Sequence, residues 1–211
     1  MTLKPLTKRR REWWIPSCHS ERSEESMNVA VYSGSFNPLH KGHEAIIRFL
    51  TKKAGFDIVY LVVTPQNPFK DRHSLPAGQD RYNAALEALA RHPDLKVVAQ
   101  DIELKMLPPQ YTIYTLDALK KREPGNSFTL IIGADNLANF IGWRFHERIL
   151  LDYGVAVFPR KGYHRGHAKA RLLKENPLYR IELLKAPLVT ISSTEIRNGI
   201  AAGKDMSRWL M

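Results

Sequence analysis

Two segments of this 211-residue chain carry residue types that could do chemistry together. The first is Ser33-Gly34-Ser35-Phe36-Asn37-Pro38-Leu39-His40-Lys41-Gly42-His43. It follows an apolar run, Val29-Ala30-Val31-Tyr32, that reads as a buried strand, and it precedes residues 44–50, whose apolar side chains recur at helical spacing. A glycine-bearing turn from strand to helix offers backbone N–H groups and the positive end of a helix, an environment that suits a phosphate. His40 and His43, three apart where the helix begins, add side-chain donors on the same side. Each part alone is weak. Every α/β protein has such turns, a lone histidine there is more often a cap, and a helical zinc pair is usually spaced i, i+4 with a third ligand. The conjunction points to phosphate handling.

The second segment is Ile191-Ser192-Ser193-Thr194-Glu195-Ile196-Arg197. On its own it reads as a helix N-cap with a stabilising glutamate. The functional reading adds that such a helix start can hold a phosphate, with Arg197 one turn in as a permanent positive charge. The first segment resembles the phosphate-binding signature of the nucleotidylyltransferases that carry a His-x-Gly-His motif. The second resembles that family's other signature, Ile-Ser-Ser-Thr-x-Ile/Val-Arg, and the two lie in the family's order about 150 residues apart. Between them stand Thr64-Pro65-Gln66-Asn67-Pro68-Phe69-Lys70, Tyr111-Thr112-Ile113-Tyr114-Thr115-Leu116 and Gly133-Ala134-Asp135-Asn136-Leu137-Ala138-Asn139-Phe140-Ile141-Gly142-Trp143. With these the chain, over residues 28–205, resembles the bacterial nicotinate-mononucleotide adenylyltransferases rather than the shorter phosphopantetheine enzymes.

That resemblance implies a reaction of nicotinate mononucleotide with ATP, giving the deamido dinucleotide and pyrophosphate. It implies that His40, His43, Arg197, the backbone of Gly34, Ser35 and Phe36, and Ser192, Ser193 and Thr194 hold the triphosphate. Lys70 would contact phosphate and Trp143 would stack on the pyridine ring. Thr112, with backbone N–H groups near Trp143 and Arg144, would meet the nicotinate carboxylate, and Asp135 would accept from nucleotide hydroxyls. Mg2+ would arrive on the ATP phosphates, since no protein metal cage is visible in the sequence. Without the surrounding match, Trp143 reads as a core or rim residue, Asp135 as a helix cap and Lys70 as a solvated loop lysine. The nearest alternative is the same chemistry on nicotinamide mononucleotide or another phosphorylated acceptor. The alternative from another class is a basic nucleic-acid-binding protein. Two departures stand out: Phe69 replaces the histidine many relatives carry before the lysine, and the chain stops at Met211 where relatives commonly continue with a closing helix. The short end is expected to cost stability rather than activity, because the signatures lie upstream.

The elements that must position these residues follow from periodicity. Strands are expected at residues 57–63, 95–99, 127–132, 153–158 and 181–184, with helices at 81–91, from 111 to about 121, across 137–151, at 168–175 and after 192. Leu86 and Leu89 are among the apolar positions of the 81–91 helix. Strand and helix alternate throughout, so the expectation is an α/β, Rossmann-like, doubly wound and mainly parallel sheet with helices on both faces. In such sheets ligands bind beyond the carboxyl ends of the strands, where the loops after strands one, two, four and six fall.

Composition bounds the rest. A hydrophobic content of 44% suits one globular domain, and no apolar run approaches the roughly 18 residues that span a bilayer. A single cysteine, Cys18, forms no internal disulfide, so the cytoplasm is the default compartment and no membrane partner is expected. The net charge of +11 is dispersed and comes with no nucleic-acid motif, so it fits polyphosphate substrates and no nucleic acid is expected. A homo-oligomer is left open. Residues 1–26 are polar, aperiodic and read as a tail, an extension from an upstream start, with a single nucleotidylyltransferase domain over 27–211 beginning at Met27.

Overall fold

The computed structural model describes residues 26–65 and 77–211. The expected tail, apart from Ser26, and Phe69 and Lys70 of the loop after the second strand lie outside the described residues. Six strands, β1 (Asn28–Gly34), β2 (Ile58–Val63), β3 (Val97–Gln100), β4 (Ser127–Gly133), β5 (Val155–Phe158) and β6 (Ile181–Leu183), form one sheet in the order β3-β2-β1-β4-β5-β6. Every pairing is parallel, from Val29 opposite both Ile58 and Phe128 outward to the edges. The doubly wound expectation holds, and the sheet is wholly parallel. The strand order reverses between β1 and β4, where open α/β sheets form their ligand crevice.

Alternation along the strands sorts the core into two layers, because successive side chains point to opposite faces. Val29 and Val31 pack with α3 (Thr112–Arg122), α4 (Ala134–Ala138) and α6 (Arg165–Glu175) through Ile113, Leu116, Leu137 and Leu172. Ala30 and Tyr32 pack on the other face with α1 (Lys41–Lys52) and α2 (Gly78–Ala90) through Ile46, Ile47, Leu50, Ala85 and Ala88. No helix among the described residues is long and apolar enough to cross a membrane.

Two expectations are modified. In α2 the buried positions are Arg81, Ala85 and Ala88, while Leu86 is exposed, so small side chains and one arginine meet the sheet. The region expected as one helix over 137–151 is broken into α4, a tight turn at Phe140–Gly142, α5 (His146–Arg148) and a wide turn at Ile149–Tyr153. The break falls at Trp143, which is extended, and at Phe145, a non-glycine residue in the left-handed region at φ 58°. Leu137, Phe140, Ile149 and Leu150 are nevertheless fully buried. Packing keeps the helical anchors, and the interruption turns Trp143 out of the helix line.

The chain end packs against the first signature. After α7 (Ser193–Ala201) comes one turn at Ser207–Trp209, and Leu210 then forms an antiparallel bridge with His40. Met211 is buried and its carbonyl accepts from Arg91 Nη2 at 2.6 Å. The last residues are distant from the first signature along the chain but touch it in space at His40. Deleting residues 207–211 removes one buried side chain and these bonds, roughly 2 kcal/mol. The melting temperature should fall by about 4–8 °C, with turnover falling too. An unchanged thermal transition would show that the terminal contacts carry no weight.

Candidate active site

At the β1/β4 switch point the carboxyl ends of the strands open into a cleft of about 270 Å³. Among the residues lining it are Gly34, Ser35 and Phe36 after β1, His40 and His43 at the start of α1, Gly133 and Asp135 after β4, Arg160 after β5, and Ser192, Ser193 and Thr194 at the start of α7. Two helix amino termini from opposite ends of the sequence therefore converge on one space. Each contributes N–H groups that no helix can satisfy internally, together with a positive dipole end.

The two histidines are the cap of α1. His40 Nδ1 accepts from the Gly42 N–H at 3.1 Å, and His43 Nδ1 accepts from the His40 N–H at 3.1 Å, a reciprocal capping box made of imidazoles. A ring nitrogen that accepts carries no proton, so the neutral rings hold theirs on Nε2 and are donors at that edge. The rings lie 3.7 Å apart, centroid to centroid. Burial, helped by the charge of Arg160 and opposed by Glu195, pushes the His40 pKa down from 6.5 to about 4. The intervening glycine is sterically required, since a Cβ on Gly42 would sit 2.4 Å from Val189 Cγ1 and 2.9 Å from the His40 ring. The His-x-Gly-His spacing is thus one cap and one close approach.

The turn before the cap is held from outside. Phe36 adopts φ 43°, a costly conformation for an aromatic residue, with its buried ring edge-on to Tyr32 at 5.5 Å and to His43 at 5.1 Å. Arg81, almost completely buried, donates to the Ser35 carbonyl and to the Pro65 carbonyl, both at 2.7 Å. That guanidinium joins the phosphate-type turn to the loop after β2.

The second signature is tied to the first. Ser192 caps α7 by accepting from the Glu195 N–H at 3.2 Å, while Glu195 accepts back from the Ser192 N–H at 2.8 Å. Ser193 Oγ donates to the Pro38 carbonyl at 3.1 Å, and Arg197 Nη1 donates to the Asn37 carbonyl at 2.7 Å. Arg197 also donates to Thr194 Oγ1 at 3.2 Å and is not among the cleft-lining residues. Its guanidinium straps the two signatures together.

Asp135 and Arg160 face each other across the mouth of the cleft. Arg160 Nε and Asp135 Oδ1 stand 3.8 Å apart, an ion pair too long for a hydrogen bond, and both atoms are shut off from solvent without a hydrogen-bond partner. Trp143, half-buried, packs on Phe140 at 5.0 Å with a 30° tilt. It lines both the cleft and an adjoining hollow of about 730 Å³ shared with Asp135, Asn136, Tyr163 and Arg171. Thr112 begins α3 and Arg144 is exposed with its guanidinium 4.6 Å from the Phe145 ring, and neither lines the cleft. Asp135 is the one carboxylate among the described lining residues, so this donor set suits a Mg2+ that arrives on phosphates rather than a protein-held one. The metal-capable trio His146, Glu147 and Glu175 lies outside the cleft.

Sequence reasoning missed Arg81 and Arg160. Arg81 looked like an ordinary helix-start residue, since nothing local announces that a guanidinium will be buried against carbonyls. Arg160 could have been found, because it follows the strand Val155–Phe158 at the carboxyl edge where ligands bind.

Two outcomes follow. A Gly42→Ala change forces the His40 ring or Val189 to move and should cost about 1–3 kcal/mol in urea unfolding. Unchanged stability would mean the cap accommodates a methyl group. His40 is neutral in the folded chain, so its contribution to stability is complete above pH 6.5 and is lost as pH falls toward 4. A His40→Asn variant, whose cap does not titrate, should show a shallower loss of stability between pH 7 and 4.5, and identical slopes would rule this out.

Comparison with known proteins accords with this geometry. The sequence model of the cytidylyltransferase-like family matches residues 31–199. A relative from Cytophaga hutchinsonii, named a probable nicotinate-nucleotide adenylyltransferase, is 38% identical over 180 residues, covering 85% of this chain and 89% of its own. One of the same name from Bacteroides fragilis is 37% identical over 182 residues, covering 86% of each. Among solved structures, the Plasmodium falciparum nicotinic acid mononucleotide adenylyltransferase complexed with NaAD superimposes with a TM-score of 0.69 at 20% identity, over 87% of this chain and 90% of that one. With most of its length matched and both signatures gathered on one cleft, the chain belongs to the cytidylyltransferase-like family, among its nicotinate-nucleotide adenylyltransferases.

Proposed function

We propose that this protein transfers the adenylyl group of ATP to nicotinate mononucleotide, releasing pyrophosphate and forming nicotinate adenine dinucleotide in NAD biosynthesis. One observation carries the reading: the Ser193 and Arg197 side chains bond to the carbonyls of Pro38 and Asn37, which puts both signatures around one polyphosphate-sized cleft. Phosphoryl chemistry needs that arrangement, because its catalysis is mostly positioning and charge stabilisation.

The mononucleotide's 5′-phosphate oxygen attacks the α-phosphorus of ATP, a new P–O bond forms, and the bond to the β-phosphate oxygen breaks. The electron pair leaves with pyrophosphate. The attacking phosphate is already ionised at neutral pH, so no general base is needed. His40 and His43 donate through Nε2–H to phosphate oxygens, joined by the backbone of residues 34–36 and the helix start at residues 193 and 194. Neutral imidazoles suit this task, since protonation at Nδ1 would cost the cap of α1. Mg2+ carried on the phosphates would supply further neutralisation of the charge on the leaving group. Arg197 holds the two signatures in register, and Lys70 adds positive charge from the loop after β2. Trp143 stacks on the pyridine ring. Thr112 and the N–H groups near Arg144 face the nicotinate carboxylate, which sets acid against amide because an amide NH₂ would oppose these donors. Asp135 accepts from nucleotide hydroxyls. The cytoplasm, where both charged substrates are retained, is the compartment for the reaction.

The test is pyrophosphate release with ATP and nicotinate mononucleotide, expected with equimolar dinucleotide, and its absence would overturn the reading. The kcat/KM for the acid should exceed that for nicotinamide mononucleotide by at least about tenfold. His43→Ala should lower kcat by at least about a hundredfold, the loss typical of one charge-stabilising donor.

A further inference from the structure

Arg160 is the only lysine or arginine among the described residues that line the cleft. It leaves β5 at the carboxyl edge of the sheet and rests with its guanidinium carbon 5.2 Å from the centre of the Phe158 ring. Its Nε and Asp135 Oδ1 are both buried and unpaired, held 3.8 Å apart by charge alone. Leaving two such atoms without hydrogen bonds is costly in a folded protein unless another group uses them. The backbone makes room for the pair: a Cβ at Gly133 would fall 2.2 Å from Asp135 Oδ1 and 3.3 Å from Arg160 Cγ. Arg197 stands in contrast, with two of its nitrogens already donating to Asn37 and Thr194. The described residues make no hydrogen bond to the Arg160 guanidinium, and the residue lines the same cleft as the two helix starts.

We propose that Arg160 is a catalytic residue of the transfer, its guanidinium contacting the non-bridging oxygens of the α-phosphate as it passes between donor and acceptor, with Asp135 holding it in place. This rests on the adenylyl-transfer reading above. A guanidinium presents planar paired donors that match phosphate oxygens, and its charge opposes what accumulates as the bond to pyrophosphate stretches. Phe158 supports one face of the group without competing for its N–H donors. Asp135 balances its charge, and the long separation keeps the donors uncommitted. The pull of Arg160 already reaches the neighbouring His40, whose pKa it helps to lower. A purely structural ion pair would close to hydrogen-bond distance and would not need a glycine cleared on its behalf.

The experiment compares wild type, Arg160→Gln and Arg160→Lys for pyrophosphate release, thermal transition and binding of inorganic tripolyphosphate by calorimetry. Arg160→Gln should lower kcat by at least about a hundredfold and change the melting temperature by less than about 2 °C. Arg160→Lys should recover part of the loss and stay about tenfold below wild type, because charge returns without the paired donors. A kcat for Arg160→Gln within about threefold of wild type would overturn the proposal, as would a fall in melting temperature with turnover per folded molecule unchanged. If the glutamine variant does not fold, a lysine variant with wild-type kcat would overturn it. Should wild type release no pyrophosphate, the adenylyl-transfer reading falls on its own. Tripolyphosphate affinity then separates the two: a weakening of about tenfold or more in Arg160→Gln supports a phosphate contact, and equal affinity removes it.

Discussion

Two hydrogen bonds to the carbonyls at positions 37 and 38, one from the Ser193 hydroxyl and one from the Arg197 guanidinium, set the geometry on which everything else in the cleft depends. They join a turn near the start of the chain to a helix near its end. Without them the amino termini of α1 and α7 would be two unrelated anion-friendly surfaces. With them, two positive dipole ends face one volume. A polyphosphate carries several charges spread over several ångströms, so a single helix terminus meets only part of it. Convergence of two solves that problem with backbone groups, which need no reorganisation during the reaction.

The sheet supplies the precision. Its central parallel strands are buried on both faces, and Gly34, Asp135 and Arg160 lie at or within two residues of a strand end. Rigid strands hold the carboxyl edge in place while loops and helix starts provide the chemistry. The paired imidazole cap illustrates the economy of this plan. The same two nitrogen contacts that terminate α1 also select the tautomer each ring presents, so local helix formation and the placement of donors are one event.

Much of this was legible in the sequence. Six strands and their order of appearance could be read from apolar runs, and the two signatures announced themselves through Gly34, His40, Gly42, His43 and residues 192–197. What escaped has physical reasons. Arg81 is buried against carbonyls that belong to two other loops, and no local pattern encodes a long-range partner. The region after β4 kept the apolar spacing of a helix, yet Phe145 adopts a left-handed conformation, a choice enforced by packing rather than by residue type. Leu86 is an apolar position of its helix and is nevertheless exposed, because helical periodicity reports an apolar stripe but not which small residues let a helix come close to a sheet. Arg160 was hidden in a run of basic residues, where a solvated loop is the ordinary meaning.

The bridge between Leu210 and the backbone of His40 gives the residue that begins the α1 cap a partner from beyond α7. With Ser193 and Arg197 bonded to Pro38 and Asn37, residues 37–40 are gripped by one distant stretch of chain, 193–210. Loosening that stretch by heat or denaturant therefore loosens the imidazole pair with it, and the two ends of the sequence open as one unit.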